Sequence, residues 1–440
     1  MPVRRSTEVS APSRTTATTA TAPLTAPKIA PKPVGAPAFT PTAATPVQKK
    51  LNEIRSLMAG HTDRTEEARI LSIFRDAPAG ELNQLMAGFS RDEFHELTED
   101  IDDRLFGPDN RTAFLQLMSQ DRVGDLSVDS KAKFIHALQV GATDGGEEKA
   151  IGAMLLGTKG NSLTALKNAI DQGGDYHDLQ QLVFHDIDSG ELRSALLQHF
   201  AKEAPPKSDR LKVFSDIDDT FYVNLKDDRY PKKTVYPGVR ALYAEMDRGA
   251  GAQPDRAGDL MFLSARPYDP LGAIENGTRS MLQDHGVTQA TVLSGDFAHV
   301  IGNQSIADKK FENWEQVRQL YPEYGSAFFG DSGQGDALFG AKAAGTNGDM
   351  RGVFIHNVTH LDAPAKAEFA QKKVFIFDTY VGAATQAFKQ GLISADGLER
   401  VMSSASRELA EVHFDKPEQA AARKTELDRD LAEAHTALGR

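Results

Sequence analysis

The 440-residue chain has no cysteine, a single tryptophan and no apolar run near the roughly 20 residues that a membrane-spanning helix needs. Without cysteine, disulfide bonds, thiolate metal sites and a cysteine nucleophile are excluded. The formal net charge of −12 argues against a surface that neutralises many nucleic-acid phosphates. We therefore expect no nucleic-acid partner, no transmembrane segment and a cytoplasmic location, with peripheral contact with membranes left open.

The composition divides the chain into four segments. Residues 1–48 are dominated by Ala, Pro and Thr and cannot bury enough apolar surface to offset their ordering entropy, so we predict a disordered tail. A targeting role is the weaker alternative, because prolines oppose an amphipathic helix. Residues 49–205 follow a helical apolar period, 206–360 alternate short apolar runs with helical stretches, and 361–440 are again helical. The sequence thus predicts a central domain between an N-terminal helical domain and a C-terminal helical extension.

The N-terminal helical region contains an internal similarity. Glu67-Ala68-Arg69-Ile70 aligns with Glu148-Lys149-Ala150-Ile151, and the same offset matches later apolar residues. All amphipathic helices share a period, so a two-fold repeat and chance agreement are equally open. The repeat resembles the helical repeats of annexins in style, but their glycine-rich calcium loops are missing, and we predict no calcium site. One alternative function is therefore binding of a membrane or a partner by these helices, with the central domain secondary.

The central region predicts a parallel β-sheet. Its short runs are apolar almost throughout and alternate with helices, which is typical of a sheet covered on both faces. The predicted strands are Leu211 to Ser215, Leu260 to Ser264, Ala290 to Leu293, Ala327 to Phe329 and Gly352 to Ile355. The expected fold class is therefore α/β, with a doubly wound parallel sheet.

Polar residues fall at the carboxyl ends of these strands, where such sheets bind ligands. Asp216 and Asp218 follow the first strand, Ser264 closes the second, Asp331 follows the fourth, and Lys310 is expected to open the preceding helix. Crowded carboxylates need a cation, and oxygen ligands favour Mg²⁺. These groups suit phosphoryl transfer: Asp216 as nucleophile, Asp218 as acid and base, and Asp331 on the metal. Lys310 and Ser264 would hold the phosphoryl oxygens.

These motifs resemble those of the haloacid dehalogenase superfamily of phosphatases. Four motifs occur in the family's order, and they are Asp216-Ile217-Asp218-Asp219-Thr220, Phe262-Leu263-Ser264, Lys310 and Gly330-Asp331-Ser332-Gly333-Gln334-Gly335-Asp336. The resemblance implies a Rossmann-like fold and an aspartyl-phosphate intermediate on the first aspartate. It also implies that Thr220 contacts phosphate, that Asp336 is a metal ligand, and that Asp218 offers its backbone carbonyl to the metal.

A finer resemblance, over about residues 210–357, is to the catalytic domain of actin-patch-associated phosphatidate phosphatases and their bacterial relatives. Further segments in their style are Tyr236-Pro237-Gly238-Val239 and Asp284-His285-Gly286. This resemblance implies a phosphorylated lipid, with phosphatidate favoured. Ala265-Arg266-Pro267-Tyr268 stands where the subfamily tends to have Ser-Pro-Trp, and a soluble phosphomonoester is the alternative substrate.

Two assignments of basic residues stay open in the sequence. Where this superfamily carries a flap over its site, the chain has four basic residues that either bind an anionic head group or are solvated; these are Lys226, Arg229, Lys232 and Lys233. The family lysine is one of two neighbours, Lys309 and Lys310, and the spacing to the following tryptophan favours Lys310.

Overall fold

The computed structural model describes residues 44–60, 62–101, 109–141, 143–172, 175–207, 210–250, 260–267, 273–287, 291–295, 302–346 and 349–440, with backbone alone at 264–267, 273–275 and 294–295. Thr45–Arg440 form one compact unit. Residues 1–43 of the predicted tail lie outside the described residues. The first helix begins at Pro46, inside the predicted tail, because Thr45 caps it and proline suits a first turn. Within the described ranges no helix is long and apolar enough to cross a membrane.

The described residues from Pro46 to Glu203 form helices and their connections, as the apolar period predicted. The helices are α1 (Pro46–Leu57), α2 (Arg64–Asp76), α3 (Ala79–Ala87), α4 (Arg91–Asp100), α5 (Asn110–Gln116), α6 (Val128–Gln139), α7 (Gly145–Leu156), α8 (Gly160–Asp171), α9 (Leu179–Gln181) and α10 (Gly190–Glu203). Two of them, α5 and α9, continue into π-helical turns at Leu117–Asp121 and Leu182–Asp186.

Helices of the two predicted repeats begin at matching positions. Asp63 caps α2 and Asp144 caps α7, each in a capping box with a glutamate three residues later, Glu66 and Glu147. Helix α3 follows α2 at the same spacing at which α8 follows α7. The sequence similarity therefore coincides with a repeated order of helix starts and caps.

The central region contains a parallel sheet. Its described strands are β1 (Leu211–Ser215), β2 (Leu260–Pro267), β3 (Thr291–Gly295), β4 (Gly325–Asp331), β5 (Met350–His356) and β6 (Phe375–Phe377), in the order β3-β2-β1-β4-β5-β6 with every neighbouring pair parallel. This order is that of Rossmann-like folds. All five predicted strands are confirmed, although Ala290 lies outside the described residues. Strand β6 was missed: it falls in the segment predicted to be helical, and three residues are too short to show a period.

Helices cover both faces of the sheet. They are α11 (Val239–Arg248), α12 (Ala273–Asp284), α13 (Asn303–Leu320), α14 (Asp336–Ala344), α15 (Ala363–Gln371), α16 (Tyr380–Lys389), α17 (Ala395–Glu411) and α18 (Pro417–Ala437). Because strand side chains alternate, Phe214 and Phe328 join one core with α13, α14 and the N-terminal helices, whereas Val213 and Phe329 join a second core with α11, α16 and α17. The C-terminal helices thus form one layer of the α/β fold.

A buried ion pair joins the N-terminal helices to the sheet region. Lys167 of α8 donates to the carbonyl of Leu320, the last residue of α13, at 2.7 Å, and to Oε2 of Glu323, beyond the end of that helix, at 3.0 Å. Burial, opposed by Glu323, lowers the pKa of Lys167 to about 8. Thr164 Oγ1 donates to the other carboxylate oxygen at 2.7 Å. Separating the pair would leave two buried charges unpaired, which is energetically costly. The pair therefore stabilises the observed position of α8 relative to the end of α13.

Gly238 allows α17 to pass close to the start of α11. Its φ is +89°, and an added Cβ would lie 2.9 Å from Ala405 Cβ and 3.4 Å from Tyr380 Cβ. We expect Gly238→Ala to lower the free energy of unfolding by about 2–4 kcal/mol, from left-handed strain and overpacking together. Gly391→Ala is the matched control, since φ is +70° but no atom lies within 4 Å, and should cost about 1 kcal/mol. Equal losses in urea denaturation would contradict the packing contribution.

Candidate functional site

The ends of β1 and β4 meet where the strand order reverses. Ser215 pairs with Phe329 across the two strands, and the Asp216 N–H donates to the Phe329 carbonyl at 2.9 Å. Asp331 is the last residue of β4. Parallel sheets bind ligands at such switch points, outside the carboxyl ends of their strands. The strand order therefore brings together the two aspartates that were predicted to share a crevice.

Asp216, Asp331 and Asp336 form a buried acidic cluster. Their ligand oxygens all lie within 4.8 Å of one another, and the three residues are 4%, 0% and 0% exposed. Asp336 is the first residue of α14, and its Oδ2 accepts the Asp331 N–H at 3.1 Å. It is therefore both a favourable helix N-terminal acid and a member of the cluster. Gly330 permits the approach, because an added Cβ would lie 2.6 Å from Asp336 Cβ.

One buried ammonium group contacts the acidic cluster. Lys310 Nζ donates to Asp216 Oδ1 at 2.6 Å and to Asp336 Oδ1. Burial alone would lower the pKa of Lys310, but the two carboxylates outweigh it and raise the pKa above its ordinary value. The protonated, positively charged form of Lys310 is thus favoured. Lys309 instead pairs with Glu312 at 2.9 Å near the surface, so Lys310 is the lysine of this site.

The prediction that Lys310 opens its helix is wrong. Helix α13 begins at Asn303, and Lys310 lies about two turns further on. The first residues of α13 are polar, so no apolar period marks its beginning. An added Cβ at Gly335 would collide with the Asn303 carbonyl, so a glycine is needed where the loop after β4 passes this helix end. Lys310 reaches the cluster from the body of the helix.

Three carboxylates here share one ammonium group. Burial, opposed by Lys310, raises the pKa of Asp216 to about 8. Burial and the charges of the other two aspartates raise the pKa of Asp331 well above its ordinary range. Asp216 Oδ2 is buried and has no hydrogen-bond partner among the described residues. Excess negative charge, oxygen donors and an unpartnered oxygen together fit a divalent cation, which the acidic cluster could hold.

The turn after Asp216 anchors the segment between Thr220 and Pro237, which we call the flap. Asp219 has a φ of 60°, and its carboxylate accepts the backbone N–H groups of residues 224–226. Asp218 Oδ1 accepts the Asn224 side-chain amide at 2.8 Å, and its charge is close enough to raise the pKa of Asp216. Sequence reasoning missed Asp219 and Asn224 as positioning residues. The available signal was a third aspartate in the run, since aspartate tolerates a left-handed backbone better than most residues.

A buried polar network underlies this turn. Arg229 Nε and Nη2 donate to the Asp227 carboxylate at 2.9 and 2.8 Å, and the Tyr236 hydroxyl donates to the same carboxylate at 2.7 Å. Burial, together with Arg229, lowers the pKa of His356 to about 3, so its ring is neutral. Arg229 Nη2 then donates to His356 Nε2 at 2.8 Å, and His356 Nδ1–H donates to the Asp219 carbonyl at 3.2 Å. Through the hydrogen bond from His356, this network fixes the position of the Asp219 carbonyl.

The four basic flap residues have different surroundings. Arg229 is buried in the network just described, Lys232 donates to the Asp227 carbonyl at 3.1 Å, and Lys233 donates to Asn224 Oδ1 at 2.7 Å. Arg229, Lys232 and Lys233 therefore stabilise the conformation of the flap. Lys226 is exposed, and its stem lies over the loop after β4, since a Cβ at Gly333 would be 3.0 Å from Lys226 Cγ. Lys226 is thus the basic flap residue best placed to meet an anion.

The hydroxyls of Thr220 and Ser264 were both predicted to bind phosphate. Thr220 is fully buried, and its Oγ1 has no hydrogen-bond partner in the described part of the chain, while its carbonyl accepts the Tyr380 hydroxyl. Ser264 lies in β2 beside β1, but its side chain lies outside the described residues. Phosphate contacts of these two hydroxyls remain predictions, as does the Asp218 carbonyl as a metal ligand.

No protein-family model, curated protein or solved structure matches the chain. The function of this site is therefore inferred from its own chemistry. That chemistry consists of three buried carboxylates, one buried ammonium group and one unpartnered carboxylate oxygen at the switch point of a parallel sheet.

Proposed function

We propose that this protein is a Mg²⁺-dependent phosphatase of the haloacid dehalogenase type, a phosphoric monoester hydrolase that works through an aspartyl-phosphate on Asp216. The observation that carries the proposal is the acidic cluster at the β1–β4 switch point, with Lys310 bound to Asp216. A phosphoryl group needs positioned cationic groups and a nucleophile in a water-poor site, and these residues are of that kind.

In the first step Asp216 Oδ2 attacks the phosphorus of the ester. Lys310 occupies Oδ1 of the same carboxylate, which leaves the unpartnered Oδ2 as the reacting atom. The bond from phosphorus to the ester oxygen breaks in line, and Asp218 gives its proton to the departing alkoxide. Thr220 and Ser264 donate hydrogen bonds to the phosphoryl oxygens in this proposal. The covalent step divides one difficult hydrolysis into two easier reactions.

In the second step Asp218, now ionised, takes a proton from water as the water attacks the phosphorus of the aspartyl-phosphate. Phosphate leaves and the Asp216 carboxylate is restored. The hydrogen bond from Asn224 on the flap positions the Asp218 carboxylate in both steps. The Asp216, Asp331 and Asp336 carboxylates and the Asp218 carbonyl would hold Mg²⁺, which neutralises charge on the phosphoryl oxygens when bound.

We propose a phosphorylated lipid as the favoured substrate, with phosphatidate as its representative. Leu225 on the flap is 56% exposed, and the exposed Lys226 follows it. An exposed leucine beside a lysine suits a substrate that joins an anionic head group to acyl chains, and it suits peripheral contact of a cytoplasmic enzyme with a membrane. A soluble phosphomonoester is the second candidate, because the polar groups of the site recognise the phosphate alone.

A substrate panel tests both parts of this proposal. With Mg²⁺ present, we expect phosphatidate in mixed micelles to be hydrolysed with a kcat/KM at least about tenfold above those of soluble sugar and nucleotide phosphates. Leu225→Asn should lower turnover of the micellar substrate about three- to tenfold, because it removes an apolar contact with the lipid. Turnover of soluble esters should not change. Release of inorganic phosphate is the measurement.

The matched control is Leu338→Asn, which alters another exposed leucine, 41% accessible, outside the flap. It should leave micellar turnover unchanged. Hydrolysis of soluble esters alone, insensitive to Leu225→Asn, would reject the lipid substrate and retain the phosphatase. Absence of Mg²⁺-dependent phosphate release from every ester of the panel would reject the phosphatase itself.

A further inference from the structure

A second group of metal-ligating side chains lies among the N-terminal helices. His136 projects from α6, and Asp175 and His177 belong to the connection between α8 and α9. Their ligand atoms all lie within 4.8 Å of one another. None of these residues takes part in the proposed phosphatase chemistry. The group combines two imidazoles with one carboxylate, so its ligands differ in kind from those of the acidic cluster.

The carboxylate of Asp175 lies between the two rings. Its Oδ2 is 2.7 Å from His136 Nε2, and its Oδ1 is 3.4 Å from His177 Nδ1. Ligand atoms around a tetrahedral zinc ion are about 3.3 Å apart, given zinc–nitrogen distances near 2.0–2.1 Å. The 3.4 Å spacing already matches that geometry, and the 2.7 Å spacing needs to open by about 0.6 Å. The three side chains are therefore arranged as one face of a coordination sphere.

Three of the four buried imidazole nitrogens have no hydrogen-bond partner among the described residues. His136 is 5% exposed and His177 is 6% exposed. Neither nitrogen of His177 has a hydrogen-bond partner among the described residues, and neither has His136 Nδ1. Asp175 Oδ1 also accepts the backbone N–H of His177 at 3.1 Å, so the carboxylate alone does not satisfy both rings. Buried polar atoms without partners call for a ligand, and a ring nitrogen of imidazole is a common metal ligand.

We propose that His136, Asp175 and His177 bind a divalent transition-metal ion such as Zn²⁺, with water completing its coordination. Imidazole favours ions of this kind, whereas Mg²⁺ prefers oxygen ligands, so the two sites of the chain select different metals. The bound ion joins α6 to the α8–α9 connection.

The position of this connection explains what the ion stabilises. Asp178, the next residue, caps α9 by accepting the Gln181 N–H at 2.9 Å. Asp171, at the end of α8, accepts the Leu179 N–H at 3.0 Å and the Tyr321 hydroxyl of the α13 end at 2.6 Å. The connection is thus held between α6 and the helix that carries Lys310. The zinc ion fixes the connection as a structural ion and takes no part in phosphate release.

Zinc binding by the full chain tests this site. After removal of metals, the unaltered protein is titrated with Zn²⁺ against a chromophoric chelator. We expect the double variant His136→Gln/His177→Gln to bind one equivalent fewer than the unaltered chain. His413→Gln, which changes an exposed histidine, is the matched control and should retain that equivalent. Zn²⁺ should also raise the melting temperature of the unaltered chain by about 3 °C and leave that of the double variant unchanged.

Two further measurements separate this site from the acidic cluster and from misfolding. Asp331→Asn should abolish phosphate release while the zinc equivalent at the histidines persists. Co²⁺ added to the unaltered chain should produce the intense ligand-field absorption of low coordination with nitrogen ligands, so the site can be judged even if the double variant does not fold. A weak six-coordinate Co²⁺ spectrum, or equal zinc binding by the double variant and the control, would overturn the proposal.

Discussion

Asp216→Asn is expected to lower Mg²⁺-dependent phosphate release at least about 10³-fold, because an amide oxygen does not attack phosphorus and a covalent intermediate no longer forms. On the proposed mechanism, the unaltered protein, quenched during turnover, should carry a phosphoryl group that hydroxylamine releases, as expected of an acyl phosphate. The variant should carry none. Phosphate release and phosphoenzyme formation are the two measurements.

The fold of this variant should survive. Asparagine is nearly isosteric with aspartate, and the change removes one of three mutually repelling buried carboxylates, so thermal unfolding should not shift downward. The matched control is Asp188→Asn, which changes an exposed aspartate in a second copy of the Asp-Ile-Asp tripeptide, outside the site. It should leave turnover intact. Unchanged turnover in Asp216→Asn itself would refute the nucleophile assignment.

Lys310→Met should cause the largest loss of stability among single changes at the site, about 3–5 kcal/mol in the absence of divalent metal. The change removes the ammonium group that pairs with Asp216 and Asp336, the one such group at the acidic cluster among the described residues. The carboxylates then stay neutral or repel one another, and either outcome lowers the free energy of unfolding. Added Mg²⁺ should restore more stability to the variant than to the unaltered chain. Phosphate release should be lost in both conditions.

Urea denaturation with and without Mg²⁺ measures these changes. Lys309→Met is the matched control, because it removes only a surface pair with Glu312 and should alter stability by less than about 1 kcal/mol. Adding Asp336→Asn to Lys310→Met should recover part of the loss by removing one of the stranded charges. Equal stability of the Lys309 and Lys310 variants would show that the ammonium group does not compensate the cluster.

The described strands show why much of the fold was predictable. β1 and β4 are buried along their whole length and β5 from Gly352 onward, so their sequences are nearly continuous apolar runs, which a local pattern reveals. β6 is three residues long and only partly buried, and its neighbours in the sequence are helical, so nothing local distinguished it. Its place in the sheet depends on pairing with β5, which is a long-range contact.

For the basic residues, too, a local pattern does not show what long-range contacts decide. Lys226, Arg229, Lys232 and Lys233 look alike in sequence, yet Arg229 is buried and paired with a carboxylate, whereas the three lysines are exposed. Of these lysines, Lys226 is the one whose stem lies over the loop after β4. Which of them meets solvent depends on how the flap folds onto the sheet. His136 and His177 were likewise not recognised, because they are far apart in sequence and only the packing of α6 against the α8–α9 connection brings them together.

For the candidate site, the sequence by itself determined the run that begins at Asp216, its position after a buried strand, and the residue types that phosphoryl transfer requires. Only the tertiary structure decided that Asp331 and Asp336 lie within 4.8 Å of Asp216, that Lys310 reaches them from the middle of a helix, and that one oxygen is left unpartnered. The physical reason is that a local pattern records burial and chemistry along one element. Distances between elements depend on strand order and helix packing, which link residues far apart in the chain.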